Sequence, residues 1–411
     1  MTEYPTFLRR TEERLLRYAA IGTQSREDTD LRPTSACQRE LAKLLYDELC
    51  AMGVHAEYDE AHCVVYGRLP AAHVREDRPV ALIAHMDTAP GVKADGVKPW
   101  VLRAYPGGDV VLNREQNIVM AAADYPELAR YVGQDLILTD GTTLLGGDDK
   151  AAIAALMTLA EYYAGHPEAP HRTVCLAFTP DEEVGGLARD LDPERLGARF
   201  AYTVDCDHLG WYQTQTFNAA RATVTVAGRS VHSATAKGIM VNAAELACEF
   251  LAALPRLEKP QYTSGDEGFY FLTDLRADVE RAELHLFLRD FDAAGFLRRI
   301  ETVRAIARRL NEGLDRERVT VEIEQEYRNM GEVLAEHPFL VEDLKAAIRA
   351  VGLEPKTEPF RGGTDGAALS FRGIPCPNLS AGYENAHSRF EYVPVPSMAK
   401  NVEILLKLTQ R

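Results

Sequence analysis

The stretch Thr173–Glu183, TVCLAFTPDEE, decides the fold of this chain. Its first half, Val174–Phe178, is an unbroken apolar run, which is typical of a strand that helices cover on both faces. The run stops at Thr179-Pro180 and is followed at once by three carboxylates, Asp181–Glu183. Adjacent carboxylates at the end of a buried strand repel one another, so they need either a cation or exposure to water. Taken alone, the acidic run is better explained as a turn on the surface.

Two further predicted strands end in the same way. Pro79–Ala84, PVALIA, leads into His85-Met86-Asp87, and Phe200–Val204, FAYTV, leads into Asp205-Cys206-Asp207. In open α/β sheets, ligands bind outside the carboxyl ends of the strands, so the three strand ends can converge on one site. The sequence therefore predicts an α/β fold with a site that carries His, Asp and Glu side chains.

Length and composition limit the class of protein. The 411 residues are enough for two domains, and 46% apolar and 26% charged residues are ordinary for a soluble globular chain. A net charge of −16 argues against nucleic acid or an anionic membrane as a partner. Seven scattered cysteines, a charged N-terminal stretch and the lack of long apolar runs favour a soluble, cytoplasmic protein with reduced thiols. The sequence leaves open whether the chain forms a homodimer.

The middle of the chain has the pattern of a separate small domain. Strands are predicted at 222–227, 269–275, 282–289 and 319–326, with helices at 240–254 and 291–310. The order β-α-β-β-α-β is that of the ferredoxin-like layout. We therefore predict an inserted α+β domain at 218–327, which divides the catalytic domain into a first part, 1–217, and a second part, 328–411.

An acidic pair begins a further helix. The segment Leu136–Gly147, LILTDGTTLLGG, leads into Asp148-Asp149-Lys150 and an alanine-rich helix. Aspartate at a helix N-terminus commonly caps the helix and interacts with its dipole. One aspartate is sufficient for that role, so the second is free for another.

The strand ends and the C-terminal part together supply a set of candidate metal ligands. They are His85, Asp87, Asp148, Glu182, Glu183, Asp205 and His387. A set of nitrogen and oxygen ligands without cysteine suits zinc, manganese or cobalt in a catalytic site. Two hydrolytic metals held about 3.5–4 Å apart also need a bridging carboxylate. A single His-x-Asp motif would be weak evidence, and the whole set in this order is much stronger.

The order of these motifs resembles a known family. HMD, GGDDK, PDEE, YTVD and NAHSRFE follow one another as in the M20 metallopeptidases, and within them as in the aminopeptidases that act on tripeptides. Longer matches are TDGTTLLGGDDK, AFTPDEEVG, TAKGIMVNA, LRDFD and RGGTDGAALSF. The resemblance covers nearly the whole chain. It implies a central mixed sheet flanked by helices, as in zinc exopeptidases, with the inserted domain acting as a lid.

The resemblance also implies a role for each candidate ligand. Asp148 would bridge two divalent ions, most simply zinc. His85 and Asp205 would complete the coordination of one ion, and Glu183 and His387 would complete that of the other. The family has a cis peptide after the bridging aspartate, which corresponds here to Asp148-Asp149.

Two further acidic residues are implied to act in catalysis. Asp87 would orient His85 through its second ring nitrogen, as partners of metal-ligating histidines usually do. Glu182 would be no ligand but the general base, taking a proton from the attacking water and giving it to the leaving amine.

The inserted domain is implied to bind substrate. His232 would polarise the scissile carbonyl, although a histidine in a surface loop is the alternative. Arg289 would bind the carboxylate of a peptide, although a paired surface charge is the alternative. Asn242 is first of all a helix cap by its position, and it is the weakest of these candidates.

The chain departs from the family's pattern beside these residues, at Cys206-Asp207-His208, at Ser233-Ala234 and at Ala381–Tyr392. All the implied ligands are present, so these departures bear on the strictness of tripeptide selection rather than on hydrolysis. Two alternatives stay open. One is an M20 hydrolase of an N-acyl amino acid or a dipeptide, and the other is a metal-binding scaffold without catalysis.

Overall fold

The computed structural model describes residues 3–186 and 188–410 and divides the chain into two compact units. The larger unit contains the chain up to Thr214, Met330–Thr357 and the chain from Thr364. The smaller unit contains Gln215–Asn329 and Glu358–Gly363. The larger unit is thus assembled from three separate stretches of sequence.

The strands and helices are numbered along the chain. The strands are β1 (His55–Asp59), β2 (Val64–Leu69), β3 (Val80–His85), β4 (Trp100–Leu102), β5 (Val110–Asn113), β6 (Ile118–Met120), β7 (Leu136–Leu138), β8 (Val174–Thr179), β9 (Ala201–Cys206), β10 (Trp211–Gln213), β11 (Asn218–Ala227), β12 (Phe269–Ala277), β13 (Arg281–Asp290), β14 (Val319–Tyr327), β15 (Lys356–Thr357), β16 (Asn378–Ser380) and β17 (Val393–Pro394). The helices are α1 (Tyr4–Ala19), α2 (Gln38–Ala51), α3 (Gly147–Gly165), α4 (Pro193–Leu196), α5 (Ala243–Ala253), α6 (Ala293–Asn311), α7 (Gly331–Leu334), α8 (Pro338–Ala350), α9 (Asp365–Phe371) and α10 (Val395–Thr409).

A mixed sheet of eight strands organises the larger unit, in the order β1-β2-β8-β3-β9-β16-β10-β15. Its centre is parallel, since β3 pairs in parallel with β8 and β9, and β9 with β16. Antiparallel pairs lie on either side, β1 with β2, β2 with β8, and β10 with β16. The predicted α/β fold with a central mixed sheet is confirmed.

Alternate side chains of the central strands enter different cores, which explains their unbroken apolar sequences. In β8, Leu176 and Phe178 join the large core that contains residues of α1, α2, α3, α8 and α10. Cys175 and Ala177 join a second core with Leu196 and Leu369, which lie on α4 and α9. Both faces of the sheet are therefore covered by helices.

The long segment between β3 and α3 is mostly irregular and contains short strands. β4 pairs with β7, which also pairs with β17, and β5 and β6 form a separate two-stranded sheet. Tyr105, Leu128 and Tyr392 contribute to a small core beneath this segment. The pairing of β7 with β17 joins the approach to α3 to the C-terminal part of the chain.

The smaller unit is an antiparallel sheet in the order β12-β13-β11-β14, with chain order β11-α5-β12-β13-α6-β14. The inward side chains of β11 and β13, such as Val224 and Leu286, form one core with Phe250 of α5 and Ile300 of α6. This is the ferredoxin-like layout that the sequence predicts. The segment Glu358–Gly363 also belongs to this unit, because the Arg361 guanidinium donates to the backbone oxygens of Gly265 and Glu267, both at 2.8 Å.

Candidate metal centre

The parallel strands place their carboxyl ends side by side in the larger unit. His85 is the last residue of β3, and Asp205 lies near the end of β9. Glu182 and Glu183 lie in a single helical turn, Glu182–Val184, just after β8. Because β8, β3 and β9 are neighbours in the sheet, these side chains meet at one edge.

Asp148 stands at the centre of this group. Its Oδ1 atom lies 3.0 Å from His85 Nε2, and that same nitrogen lies 3.6 Å from Asp205 Oδ1. Its Oδ2 atom lies 3.3 Å from His387 Nε2, which in turn lies 2.9 Å from Glu183 Oε2. The two oxygens of one carboxylate therefore face two different histidines, each accompanied by a second carboxylate.

The aspartate pair does not cap the helix, contrary to the first interpretation of its sequence. The carboxylate of Asp148 faces His85 and His387, and Asp149 Oδ2 accepts the backbone N–H of His85 at 3.2 Å. The backbone also departs from helical angles here, with ψ 104° at Asp148 and φ −117° and ψ 24° at Asp149. The N-cap residue of α3 is Gly146, which has no side chain, and the peptide Asp148-Asp149 is cis, as the resemblance implied. The side chain of Asp148 is thus directed to the histidines rather than to the helix.

Electrostatics at the site indicate a shortage of positive charge. Burial, and then repulsion from Asp148, raise the pKa of Glu183 to about 7. Hydrogen bonds to Asp148 and Glu183 raise the pKa of His387 to about 11. Burial opposes ionisation of Asp148, yet its contacts with His387 and His85 outweigh this and lower its pKa. Additional cations would stabilise such a cluster.

The residues fit two divalent metal ions. Ligands of a tetrahedral ion at about 2.0–2.1 Å stand roughly 3.3 Å apart, close to the spacings around Asp148. Two buried carboxylate oxygens, Glu183 Oε1 and Asp149 Oδ1, have no hydrogen-bond partner among the described residues. Two sets of three side chains have ligand atoms that all lie within 4.8 Å of one another. One set is His85, Asp148 and Glu183, and the other is His85, Asp149 and Asp205. The second set adds Asp149, which the sequence did not single out as a ligand.

Asp87 connects two of the strand ends. Its carboxylate accepts the backbone N–H groups of Glu182 and Glu183 at 2.9 and 3.1 Å. His85 Nδ1 lies 3.0 Å from the backbone oxygen of Asp87 and 3.4 Å from its Oδ1. Asp87 therefore contacts the second ring nitrogen of His85 and also holds the turn that carries both glutamates.

Glu182 differs from its neighbour in its surroundings. It is partly buried, and burial together with repulsion from Asp205 raises its pKa well above the ordinary range. It is absent from both close ligand sets found among the described residues. A carboxyl group with a raised pKa beside a metal centre is suited to proton transfer.

Three buried residues around the ligands were not found by sequence reasoning. Asp365 accepts the Thr179 hydroxyl at 2.7 Å, and the Tyr383 hydroxyl donates to Asp205 Oδ1 at 3.2 Å. Glu391 accepts the backbone N–H groups of Gly146 and Asp148. Asp365 and Glu391 lie within the sequence motifs RGGTDGAALSF and NAHSRFE. Their position in these motifs is the sequence feature that could have indicated a place near the site.

The three substrate-binding candidates all lie in the smaller unit. His232 is exposed, and its Nδ1 accepts the backbone N–H of Ala234 at 3.2 Å. Asn242 caps α5.

Arg289, the third of these candidates, is largely buried and pairs with Glu326 at 2.8 Å. Its guanidinium also lies over the ring of Phe287 at 4.6 Å.

The fold and the site together define a metallohydrolase with a two-metal centre. The sequence profile of the peptidase family M20/M25/M40 matches residues 145–411. A curated relative called peptidase T, from Desulfitobacterium hafniense, is 45% identical over 399 residues, with 97% of each chain covered. Another peptidase T, from Geobacillus kaustophilus, is 43% identical over 396 residues, with 96% of each chain covered. The chain belongs to peptidase family M20/M25/M40.

Solved structures share the fold. The aminopeptidase PepT from Bacillus cereus has a TM-score of 0.76 at 21% identity, with 98% of each chain covered. A dinuclear metal-binding peptidase of family M20 from Bacillus subtilis has a TM-score of 0.64 at 13% identity, covering 99% of this chain and 98% of that one. In the part of the chain that the structure describes, none of the helices combines the length and the apolar character needed to cross a membrane.

Proposed function

We propose that this chain is a metal-dependent aminopeptidase that releases the N-terminal residue of short peptides, with tripeptides as the main substrates. One observation carries the proposal: the two oxygens of Asp148 face two different histidines, each with a further carboxylate. The names of the curated relatives, aligned over nearly the whole chain, support the choice of peptides.

His85 and Asp205 would hold one ion together with Asp148, and Glu183 and His387 would hold the other together with Asp148. The ligands are nitrogen and oxygen atoms without thiolate, which suits zinc first and cobalt or manganese as alternatives. Asp149 is the competing ligand for the first ion, because it forms a close set with His85 and Asp205.

Two divalent ions held by these ligands would supply polarisation of the scissile carbonyl and a lowered pKa of the attacking water. In our proposal, a carboxylate oxygen of Glu182 takes the proton that this water loses. The water oxygen forms a bond to the carbonyl carbon, the carbon–nitrogen bond breaks, and Glu182 returns the proton to the leaving amine. Burial raises the pKa of Glu182 above its usual range, which makes its carboxylate a stronger proton acceptor than an exposed glutamate.

Asp87 is proposed to keep these groups in place. It accepts the N–H groups of the residue pair that supplies both the base and a ligand, and it contacts the ring of the ligand His85. Because one carboxylate serves both segments, its loss should displace base and ligands together.

His232, Asn242 and Arg289 remain proposed substrate ligands. Arg289 is the strongest of them, because a buried guanidinium can bind a carboxylate with two parallel hydrogen bonds. Its pairing with Glu326 means that a peptide carboxylate would compete with an existing partner. The cap formed by Asn242 accounts for that residue without any contact to substrate.

The test compares four substrates with the zinc-loaded protein. A free tripeptide should be cleaved fastest, and its N-acetylated form should be resistant because an aminopeptidase needs the free amine. A dipeptide and a tetrapeptide measure length selection. Faster cleavage of the N-acetylated peptide would instead support the N-acyl hydrolase, and no cleavage of any peptide by metal-loaded protein would support the scaffold.

A further inference from the structure

A buried carboxylate outside the proposed ligand set contacts the backbone of the bridging residue. Glu391 is 1% exposed. Its Oε1 accepts the backbone N–H of Asp148 at 2.7 Å, and its Oε2 accepts that of Gly146 at 2.8 Å. Both carboxylate oxygens are thus used on the short turn that delivers Asp148. Burial raises the pKa of Glu391 to about 8, and the two backbone N–H donors oppose that shift.

The glycines of this turn leave room for the carboxylate. Gly146 has φ +74°, a left-handed conformation that favours glycine. A Cβ atom on Gly147 would lie 3.0 Å from Glu391 Oε1 and 2.5 Å from Val393 Cγ2. The close approach of Glu391 to the backbone therefore depends on a residue without a side chain at position 147.

The same carboxylate belongs to the segment that carries His387. Glu384 and Tyr392 close the base of this segment with two backbone hydrogen bonds, of 2.9 and 3.1 Å. Within it, the N–H of Glu391 donates to the backbone oxygen of Ser388 at 3.0 Å. Glu391 therefore lies on a compact loop whose tip presents His387, and its side chain reaches the turn of Asp148.

We propose that Glu391 is a positioning residue for the metal centre, which fixes the bridging carboxylate of Asp148 relative to the histidine ligand His387. It contacts neither the substrate nor the metal ions. It acts by tying two segments, far apart in the sequence, that carry ligands of the same ion.

The geometry explains why such a tie matters. Asp148 would hold both ions, because its Oδ1 lies beside His85 and its Oδ2 beside His387. Productive metal sites tolerate displacements of about 0.5 Å. Partners that orient metal ligands typically change metal affinity by about 10–100-fold when they are removed. Since Asp148 contacts both histidines, loss of Glu391 should weaken both ions.

The test replaces the carboxylate while keeping its size. Glu391→Gln replaces one carboxylate oxygen by an NH₂ group. One of the two backbone N–H groups, of Gly146 or Asp148, then loses its acceptor and faces the NH₂ donor. We expect zinc affinity, measured by competition with a chromogenic chelator, to fall by about 10–100-fold for both ions. Excess zinc should restore occupancy and most of the turnover, which a general loss of folding would not allow.

The matched control is Asp135→Asn. The carboxylate of Asp135 also accepts a backbone N–H, that of Ala104 at 2.7 Å, and it pairs with the Arg103 guanidinium. The control makes the same acid-to-amide change in a side chain that has no place in the centre, so its zinc affinity should stay within about twofold of the parent. Equal weakening in the control would overturn the positioning role.

The inference rests on the proposed metal ligation, and the outcomes separate the two. A parent chain that binds no zinc would contradict both. A parent that binds two ions, with unchanged affinity in Glu391→Gln, would overturn the role of Glu391 alone. If Glu391→Gln does not fold, Glu391→Asp decides: its shorter side chain keeps the charge but cannot reach both N–H groups. Affinity at least threefold below the parent supports the role, and parental affinity refutes it.

Discussion

Replacing Glu182 by glutamine tests the division of labour between two adjacent glutamates. The side chain of Glu183 lies 2.9 Å from His387 Nε2, whereas Glu182 is outside the close ligand sets of the described residues. Glu182→Gln should therefore keep both ions and lose the proton acceptor. General acid–base catalysis contributes about 10²–10⁴-fold, so turnover should fall by that factor, which corresponds to about 2.7–5.5 kcal/mol in the barrier.

The assay measures kcat and KM on a tripeptide together with the metal content of each preparation. Glu183→Gln is the matched control, since it makes the same chemical change one residue along the chain. It should lose metal, and added zinc should restore part of its activity. Full metal content in Glu183→Gln with metal loss in Glu182→Gln would show that the roles of the two glutamates are exchanged.

Three further predictions concern the bridge, the pH dependence and the substrate carboxylate. Asp148→Ala should reduce the content of both ions, as measured by elemental analysis; retention of either ion at parental affinity would argue against a bridge. In the metal-free protein, the raised pKa of Glu183, about 7, makes the folded state hold a proton more tightly than the unfolded state, so its contribution to stability falls as the pH rises from about 4.5 to 7. The pKa of His387, raised to about 11, likewise makes its contribution to stability fall as the pH rises above 6.5. The gain in Tm on adding zinc should therefore increase from pH 6 to pH 8. A decrease in that gain would contradict this reasoning. Arg289→Ala should slow cleavage of a free tripeptide by about 10–150-fold, from a charged hydrogen bond of about 1.5–3 kcal/mol, and should have little effect on the C-terminally amidated peptide; equal losses on both would leave Arg289 as a structural partner of Glu326.

The sequence was most informative where function depends on local pattern. Apolar runs that end in His85, Glu183 and Asp205 predicted both the strands and the position of their side chains, because neighbouring parallel strands end at one edge of the sheet. The structure brings these three residues together with Asp148 and His387. The assignment of individual ligands to ions is a prediction that metal binding must test.

The parts that could not be predicted arise from tertiary contacts. Glu391 accepts N–H groups from residues more than 240 positions earlier. The periodicity of apolar residues gives no information about such a distant contact. Asp149 has the sequence position of a helix cap, but its Oδ2 accepts the backbone N–H of His85, which is 64 positions earlier. Arg361 likewise attaches its segment to the smaller unit through two backbone oxygens. These contacts form between residues that are distant in the sequence and that only the tertiary fold brings together, so a short window of sequence does not reveal them.

The central claim is that Asp148 bridges two ions, and anomalous diffraction from zinc-loaded crystals tests it most directly. The account predicts two anomalous peaks about 3.5–4 Å apart, each about 2.0–2.2 Å from one oxygen of Asp148. His85 and Asp205 should contact one peak, and Glu183 and His387 the other. A single peak held by both oxygens of Asp148, or a second peak bound by Asp149 instead of Asp148, would contradict the account.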